Sequence, residues 1–145
     1  MNIRIRVKNL VNRHQTSNPF KIAEDLKIHV KFRPYKKTKG YFIKIRGNKF
    51  IVINENLNEA EQLVVMAHEL GHALLHSNKY DFLKYEKGIY LTADAQLFNQ
   101  NCIYENQANK FASELLLINE VDILEAELDK DIYNSLSKIK YMNIK

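Results

Sequence analysis

The spacing of hydrophobic positions changes character along the chain, and each change marks an element. Ile3, Val7, Leu10 and Val11 recur at i, i+4, i+7 and i+8, the stripe of an amphipathic helix over the first dozen residues. Ile5 falls off that stripe. Thr16-Ser17-Asn18-Pro19 then reads as a stop and a restart, with a capping side chain ahead of a proline that a first helical turn tolerates. Phe20, Ile22, Ala23 and Leu26 give a short second helix ending near Lys27. There the period drops to two: Ile28, Val30 and Phe32 alternate with His29, Lys31 and Arg33 as in a half-buried strand closed by Pro34. The strand-like runs 41–46 and 49–53 flank Gly47-Asn48, a hairpin signal. Residues 28–53 therefore predict a small, mainly antiparallel sheet.

Helical spacing returns at Asn58. With Glu61 three residues on, Asn58 forms a variant of the capping box ahead of Leu63, Val64, Met66, Ala67, Leu70, Leu74 and Leu75. This helix is expected to run to about His76 and to end at Ser77-Asn78. Residues 77–103 have weaker periodicity and predict a loop-rich excursion. Ala108, Phe111, Ala112, Leu115 and Leu116 define a further helix over 105–117. Ile123, Leu124, Leu128, Ile132, Leu136 and Ile139 define a last one, from 121 to about 141. No repeat, low-complexity tract or linker interrupts the pattern, so residues 1–145 are read as one domain.

Composition narrows the class. Apolar residues make up 46% and charged residues 27% of the 145, as in an ordinary globular chain. No apolar run reaches membrane-spanning length. The first eight residues are basic but lack the uninterrupted apolar stretch of a secretory signal. Cys102 has no internal disulfide partner, which suits a reducing compartment. The expectation is a cytoplasmic protein with no membrane association. The charge is unevenly spread: residues 1–50 hold 14 Lys or Arg against two acids, net +12, and the remainder carries −7. A basic half of this kind can meet nucleic acid or an acidic protein. No base-reading motif accompanies it, so solvation of a sheet face is the favoured reading and direct nucleic-acid binding is not.

The chemistry concentrates in His68-Glu69-Leu70-Gly71-His72. Two histidines four apart on a helix project from one face, one turn from each other, and can bring two nitrogens to one zinc at ~2.0–2.1 Å. Glu69 points beside such a metal and is placed to take a proton from water as the general base. Gly71 leaves its turn without a side chain, which is read as room for metal and substrate. A catalytic zinc needs a third protein ligand and an open position. The extended pattern with a third histidine requires glycine and histidine at 75 and 78, where Leu75 and Asn78 stand. A glutamate on a second helix is the alternative. Glu105 is favoured because it opens a helix with Asn109 one turn later on the same face, from where the amide can orient a ligating histidine. Glu86, in the loop region, and Glu114, on another helical face, are its rivals. His76 lies about 80° around the helix from His68, at ~100° per residue, and suits a structural or outer role better than ligation. Cys102 reads as a small buried hydrophobe. Tyr80, Tyr90 and Tyr104 could each donate to an oxyanion, with core packing as the default.

The block 66–76, Met-Ala-His-Glu-Leu-Gly-His-Ala-Leu-Leu-His, and the block 105–116, Glu-Asn-Gln-Ala-Asn-Lys-Phe-Ala-Ser-Glu-Leu-Leu, resemble the ImmA/IrrE metallo-endopeptidases. Asn18-Pro19-Phe20-Lys21-Ile22-Ala23 and Val52-Ile53-Asn54 fit the same family's lead-in, so the resemblance covers about residues 18–117. It implies a gluzincin-like zinc protease of a kind often encoded by phages and mobile elements. It further implies one zinc per chain held by His68, His72 and Glu105, with Glu69 as general base, and a helix-turn-helix repressor as protein substrate. The expected fold is α+β and zincin-like: a small sheet packed by the His68–His72 helix, a second ligand-bearing helix, and N- and C-terminal helices. A non-catalytic antirepressor that sequesters the repressor around a structural zinc is the alternative. Two departures from the family stand out: Ile118 replaces the proline that commonly follows the Leu-Leu run, and the short stretch after residue 118 reads as neither a recognisable sensor nor a DNA-binding module. Two histidines and one carboxylate also suit manganese or iron.

Overall fold

Both periodicities find the structures they predict. The computed structural model describes residues 1–79, 101–118 and 130–141. Its elements, in order, are α1 (Ile3–His14), α2 (Pro19–Asp25), β1 (His29–Arg33), β2 (Gly40–Ile45), β3 (Asn48–Asn54), α3 (Glu59–Leu75), α4 (Asn101–Leu116) and α5 (Lys130–Lys140). In α1, Ile3 and Val7 are buried and Leu10 and Val11 pack at the edge of the core, while Ile5 is 53% exposed. Asn18 caps α2 by accepting from Phe20 N at 2.9 Å, with Pro19 in the first turn. The helix stops at Asp25, two residues short of the expected end.

The sheet corrects the expectation of mainly antiparallel pairing. Its order is β1-β3-β2, with β3 antiparallel to β2 and parallel to β1, from His29 opposite Phe50 to Arg33 opposite Asn54. The physical reason lies in the strands themselves. β3 carries Phe50-Ile51-Val52-Ile53, with Ile51 and Ile53 fully buried, and takes the centre. β1 alternates cationic positions and suits an edge, where charge discourages further pairing. The crossing segment 34–39 is tied down by Asn54. Its Nδ2 donates to the carbonyls of Tyr35 (3.0 Å) and Thr38 (2.9 Å), and its Oδ1 accepts from the amides of Tyr35 (3.2 Å) and Asn56 (2.9 Å).

The hairpin turn is shifted by one residue from Gly47-Asn48. Ile45 pairs with Asn48, and the two loop residues are Arg46 (φ 51°) and Gly47 (φ 83°). Both lie in the left-handed region, as a type I′ turn demands. The strand twist selects that turn, and Arg46 accepts an unfavourable conformation to complete it.

Helix α3 contacts β2 and β3, contributing Met66, Ala67 and Leu70 to a core shared with Phe42, Ile51 and Ile53. Its N-terminus is a complete capping box: Asn58 Oδ1 accepts from Glu61 N (2.8 Å) and Glu61 Oε1 accepts from Asn58 N (3.2 Å). Helix α4 packs along α3, and α1 and α5 both pack on α4. It begins at Asn101, four residues before the expected start, so Glu105 lies one turn inside the helix and does not open it. Tyr104 is buried and extends the apolar row Ala108, Phe111, Ala112 and Leu115 backwards by a turn. α4 and α5 close each other's ends: Lys140 Nζ donates to the carbonyl of Leu117 (2.8 Å) and Lys110 Nζ to that of Lys140. The excursion after residue 79, the first nine residues of the expected last helix, and with them Tyr80, Glu86 and Tyr90, lie outside the described residues. The side chain of Cys102 does too. Among the described residues no helix is long and apolar enough to cross a membrane.

Candidate metal centre

Two helices build the site. One turn of α3 projects His68 and His72 towards α4, and Glu105 meets both across the helix pair. Glu105 Oε2 lies 3.0 Å from His68 Nε2, and Oε1 lies 3.0 Å from His72 Nε2. The three side chains can each offer one donor atom within 4.8 Å of the others. His72 is 1% exposed, His68 19% and Glu105 28% at the side chain, so the cluster opens to solvent past His68 and Glu105. The rival Glu114 is buried elsewhere, against Lys110 at 2.8 Å.

The far nitrogens of both rings are engaged. His68 Nδ1 donates to Asn109 Oδ1 at 2.8 Å, the contact expected of an amide one turn after Glu105. His72 Nδ1 meets His76 Nδ1 at 2.9 Å, and His76 Nε2 donates to Gln107 Oε1 at 2.8 Å. Tyr104 packs its ring on His76, with centroids 4.7 Å apart. It is thus part of the buried backing of the site. No sequence signal pointed to Gln107, because its partner lies 31 residues away on another helix.

Glu69 is buried beside the cluster at 7% exposure. The backbone N–H of Phe42, in β2, donates to its carboxylate, and Oε2 has no partner among the described residues. Burial raises its pKa to about 7, against the lowering effect of nearby His68 and with the help of Glu105. Burial likewise lowers His72 to about 4, partly offset by the nearby Glu105 carboxylate. For Glu105 the penalty of burial is outweighed by the hydrogen bond from His68 and by the closeness of the His72 ring, which hold it well below the usual carboxylate range. For His68 burial is outweighed by the Glu105 bond and the charges of Glu69 and Glu105, and its pKa rises.

These residues fit a divalent metal. With Nδ1 facing Asn109 or His76, each of the two rings turns Nε2 towards a carboxylate oxygen, and three donor atoms converge where only a proton or a cation can reconcile them. Two imidazoles and one carboxylate form a donor set suited to zinc. The buried Glu69 Oε2, which has no partner among the described residues, is the second sign, since such an atom costs ~1–3 kcal/mol unless the site supplies one.

Gly71 has a different role from the one its place in the motif suggests. A Cβ there would sit 3.1 Å from Cβ and Cδ1 and 3.2 Å from Cγ of Phe111. The missing side chain lets α4 approach α3. It does not open space for a ligand.

Comparison with known proteins bears on this centre. Residues 23–140 match the Peptidase_M78 family model, the IrrE N-terminal-like domain. The chain is 38% identical over 117 residues to "Uncharacterized immunity region protein 2" of Bacillus phage phi105, covering 79% of this chain and 68% of that protein. It is 28% identical over 119 residues to "Metallopeptidase ImmA" of Bacillus subtilis (strain 168), covering 82% of this chain and 65% of that protein. The aligned regions thus span about two thirds of each relative.

Proposed function

The chain belongs to the Peptidase_M78 family of IrrE N-terminal-like domains, and on that premise we propose that it is a zinc-dependent endopeptidase. The observation that carries the proposal is the convergence of His68 Nε2 and His72 Nε2 on the two oxygens of Glu105, beside the buried carboxylate of Glu69. His68, His72 and Glu105 would hold one zinc. When bound, zinc supplies Lewis acidity and lowers the pKa of a coordinated water towards ~7.

Everything else is done by the chain's own groups. Asn109 and His76 fix the ring orientations of the two histidines. Phe42 N–H anchors the Glu69 carboxylate and leaves Oε2 as the atom that takes a proton from the attacking water and passes it to the departing amine. Burial raises the Glu69 carboxyl above its ordinary range, the direction that makes a carboxylate a better proton acceptor for both transfers.

The substrate in this reading is a helix-turn-helix repressor, cut in an exposed segment so that the genes it silences are released. The resemblance to the ImmA/IrrE proteases supports that choice, as do relatives named for a phage immunity region and for metallopeptidase activity. The test uses purified, zinc-loaded protein and helix-turn-helix repressors from the genome that encodes it, with fragments read by mass spectrometry. Wild type should cut one of them, and Glu69→Gln should retain zinc without cutting. Repressor release by a Glu69→Gln protein that binds the intact repressor would instead mean sequestration around a structural zinc.

A further inference from the structure

The metal-ligand reading leaves two buried polar side chains without a task. His76 is fully buried and Gln107 is 9% exposed, and the two hydrogen-bond to one another behind His72. Resting on the zinc reading, we propose that His76 and Gln107 are positioning residues that lock His72 into the tautomer with its proton on Nδ1, so that the Nε2 lone pair faces the metal position before metal arrives.

Hydrogen-bond capacity fixes each proton in turn. Gln107 Oε1 can only accept, so His76 Nε2, 2.8 Å away, bears a proton. A neutral His76 then has a lone pair on Nδ1. His72 Nδ1, 2.9 Å from that atom, must be the donor of their shared bond. With its proton held there, His72 leaves Nε2 bare, 3.0 Å from Glu105 Oε1. The orientation of one amide at the α4 end of the chain thus sets the protonation of a ligand two side chains away. The Tyr104 ring against His76 keeps the intermediate imidazole from rotating out of line.

The choice of neutral partners has a reason. Ligating histidines commonly donate to a carboxylate, a backbone carbonyl or water. A carboxylate at position 76 would be a third buried anion beside Glu69 and Glu105, with a desolvation cost of several kcal/mol. A histidine relayed to an amide gives the same directional acceptor without charge. Two neutral histidines and two carboxylates then balance one divalent cation. His68 needs no relay, because Asn109 reaches it directly from the more open side.

The experiment combines zinc affinity, from competition with a chromophoric chelator, and long-range 1H–15N spectra of the imidazoles in metal-free protein. The spectra should show His72 protonated at Nδ1 and His76 at Nε2. His76→Leu should weaken zinc binding by about 10–100-fold, the range for lost outer partners of ligands. His76→Gln, which restores an acceptor oxygen, should recover most of that loss. Gln107→Met should weaken binding less and mix the tautomers of His72. Thermal melting separates a general loss of packing, which would lower Tm for Leu and Gln alike without distinguishing their zinc affinities. Zinc affinity within threefold of wild type in His76→Leu, or a metal-free His72 protonated at Nε2, would overturn the proposal. If His76→Leu does not fold, the wild-type spectra and Gln107→Met decide the matter. A wild type that binds no zinc overturns the metal reading, while the spectra still decide the tautomer lock.

Discussion

Replacing Gly71 by alanine should destabilise the protein, although the same change in an open helix stabilises. Glycine in a helix interior costs ~0.8–1 kcal/mol relative to alanine, so an unobstructed site would gain about that much. Here the new Cβ meets three atoms of Phe111 at 3.1–3.2 Å, about 0.5 Å inside ordinary carbon contact. Phe111 is 1% exposed and cannot swing aside, so the strain falls on the spacing of α3 and α4. Overpacking of this kind costs ~1–3 kcal/mol. The net expectation is a loss of about 1 kcal/mol, or ~2–4 °C in Tm. The ligands make the effect functional. Gly71 lies between His68 and His72 on α3, and Phe111 follows Glu105 and Asn109 on α4, so wedging the helices apart moves Glu105 off the two histidines. Zinc affinity should fall by about tenfold, at the low end of what mispositioned ligands cost. Denaturant melts of the metal-free protein and chelator competition give the two numbers. Phe111→Leu in the Gly71→Ala background should recover part of both, a coupling of ~0.5 kcal/mol or more between the sites. A Gly71→Ala protein that melts higher than wild type with unchanged zinc affinity would refute the argument, since the close approach would then not constrain the centre.

Other perturbations reach the supports of the site. Asn54→Ala should cost about 2–3 kcal/mol in a urea melt, because four hydrogen bonds to the backbone of Tyr35, Thr38 and Asn56 are lost at once. Lys140→Met should cost about 1–2 kcal/mol and weaken the docking of α5, read as faster amide exchange at the end of α4, because Leu117 loses its charged donor. Asn58→Ala should cost about 1 kcal/mol by opening the capping box of α3 while leaving zinc stoichiometry intact. Chelation of zinc should lower Tm. At free zinc a thousandfold above Kd the bound metal contributes ~4 kcal/mol of stability, and a melt unmoved by chelator would show that zinc and folding are not linked.

Much of this was legible because local chemistry and global fold agree. The stripe of α1 announced its buried face so closely that even the misplaced Ile5 is exposed. Asn18-Pro19 and the Asn58/Glu61 pair marked helix starts through side chains that bond within three residues. Helical spacing alone put His68 and His72 on one face and Asn109 one turn from Glu105. The readings that went astray depend on contacts distant in sequence. Parallel pairing of β1 with β3 follows from the competition of three strands for the central place, and a scan of single segments does not weigh that competition. The turn slid onto Arg46 because strand register outranked the preference for Asn at positive φ. The early start of α4 was hidden because Tyr104 reads as helical only when its burial is known. Gly71 reads as part of a ligand pocket from its motif alone, because Phe111, which fills the space, lies 40 residues away in sequence. Gln107 carried no signal, since only the folded α3–α4 pair brings it to His76.

The central claim is that His68, His72 and Glu105 form one zinc site. Its most direct test is elemental analysis of metal per chain in protein purified without added metal, with His72→Ala and Glu105→Ala beside it. Wild type should hold close to one zinc per chain, with a large loss in both variants. A wild type that holds no metal, even after zinc is offered at neutral pH, would contradict it and leave the folded cluster without the ion its donors call for.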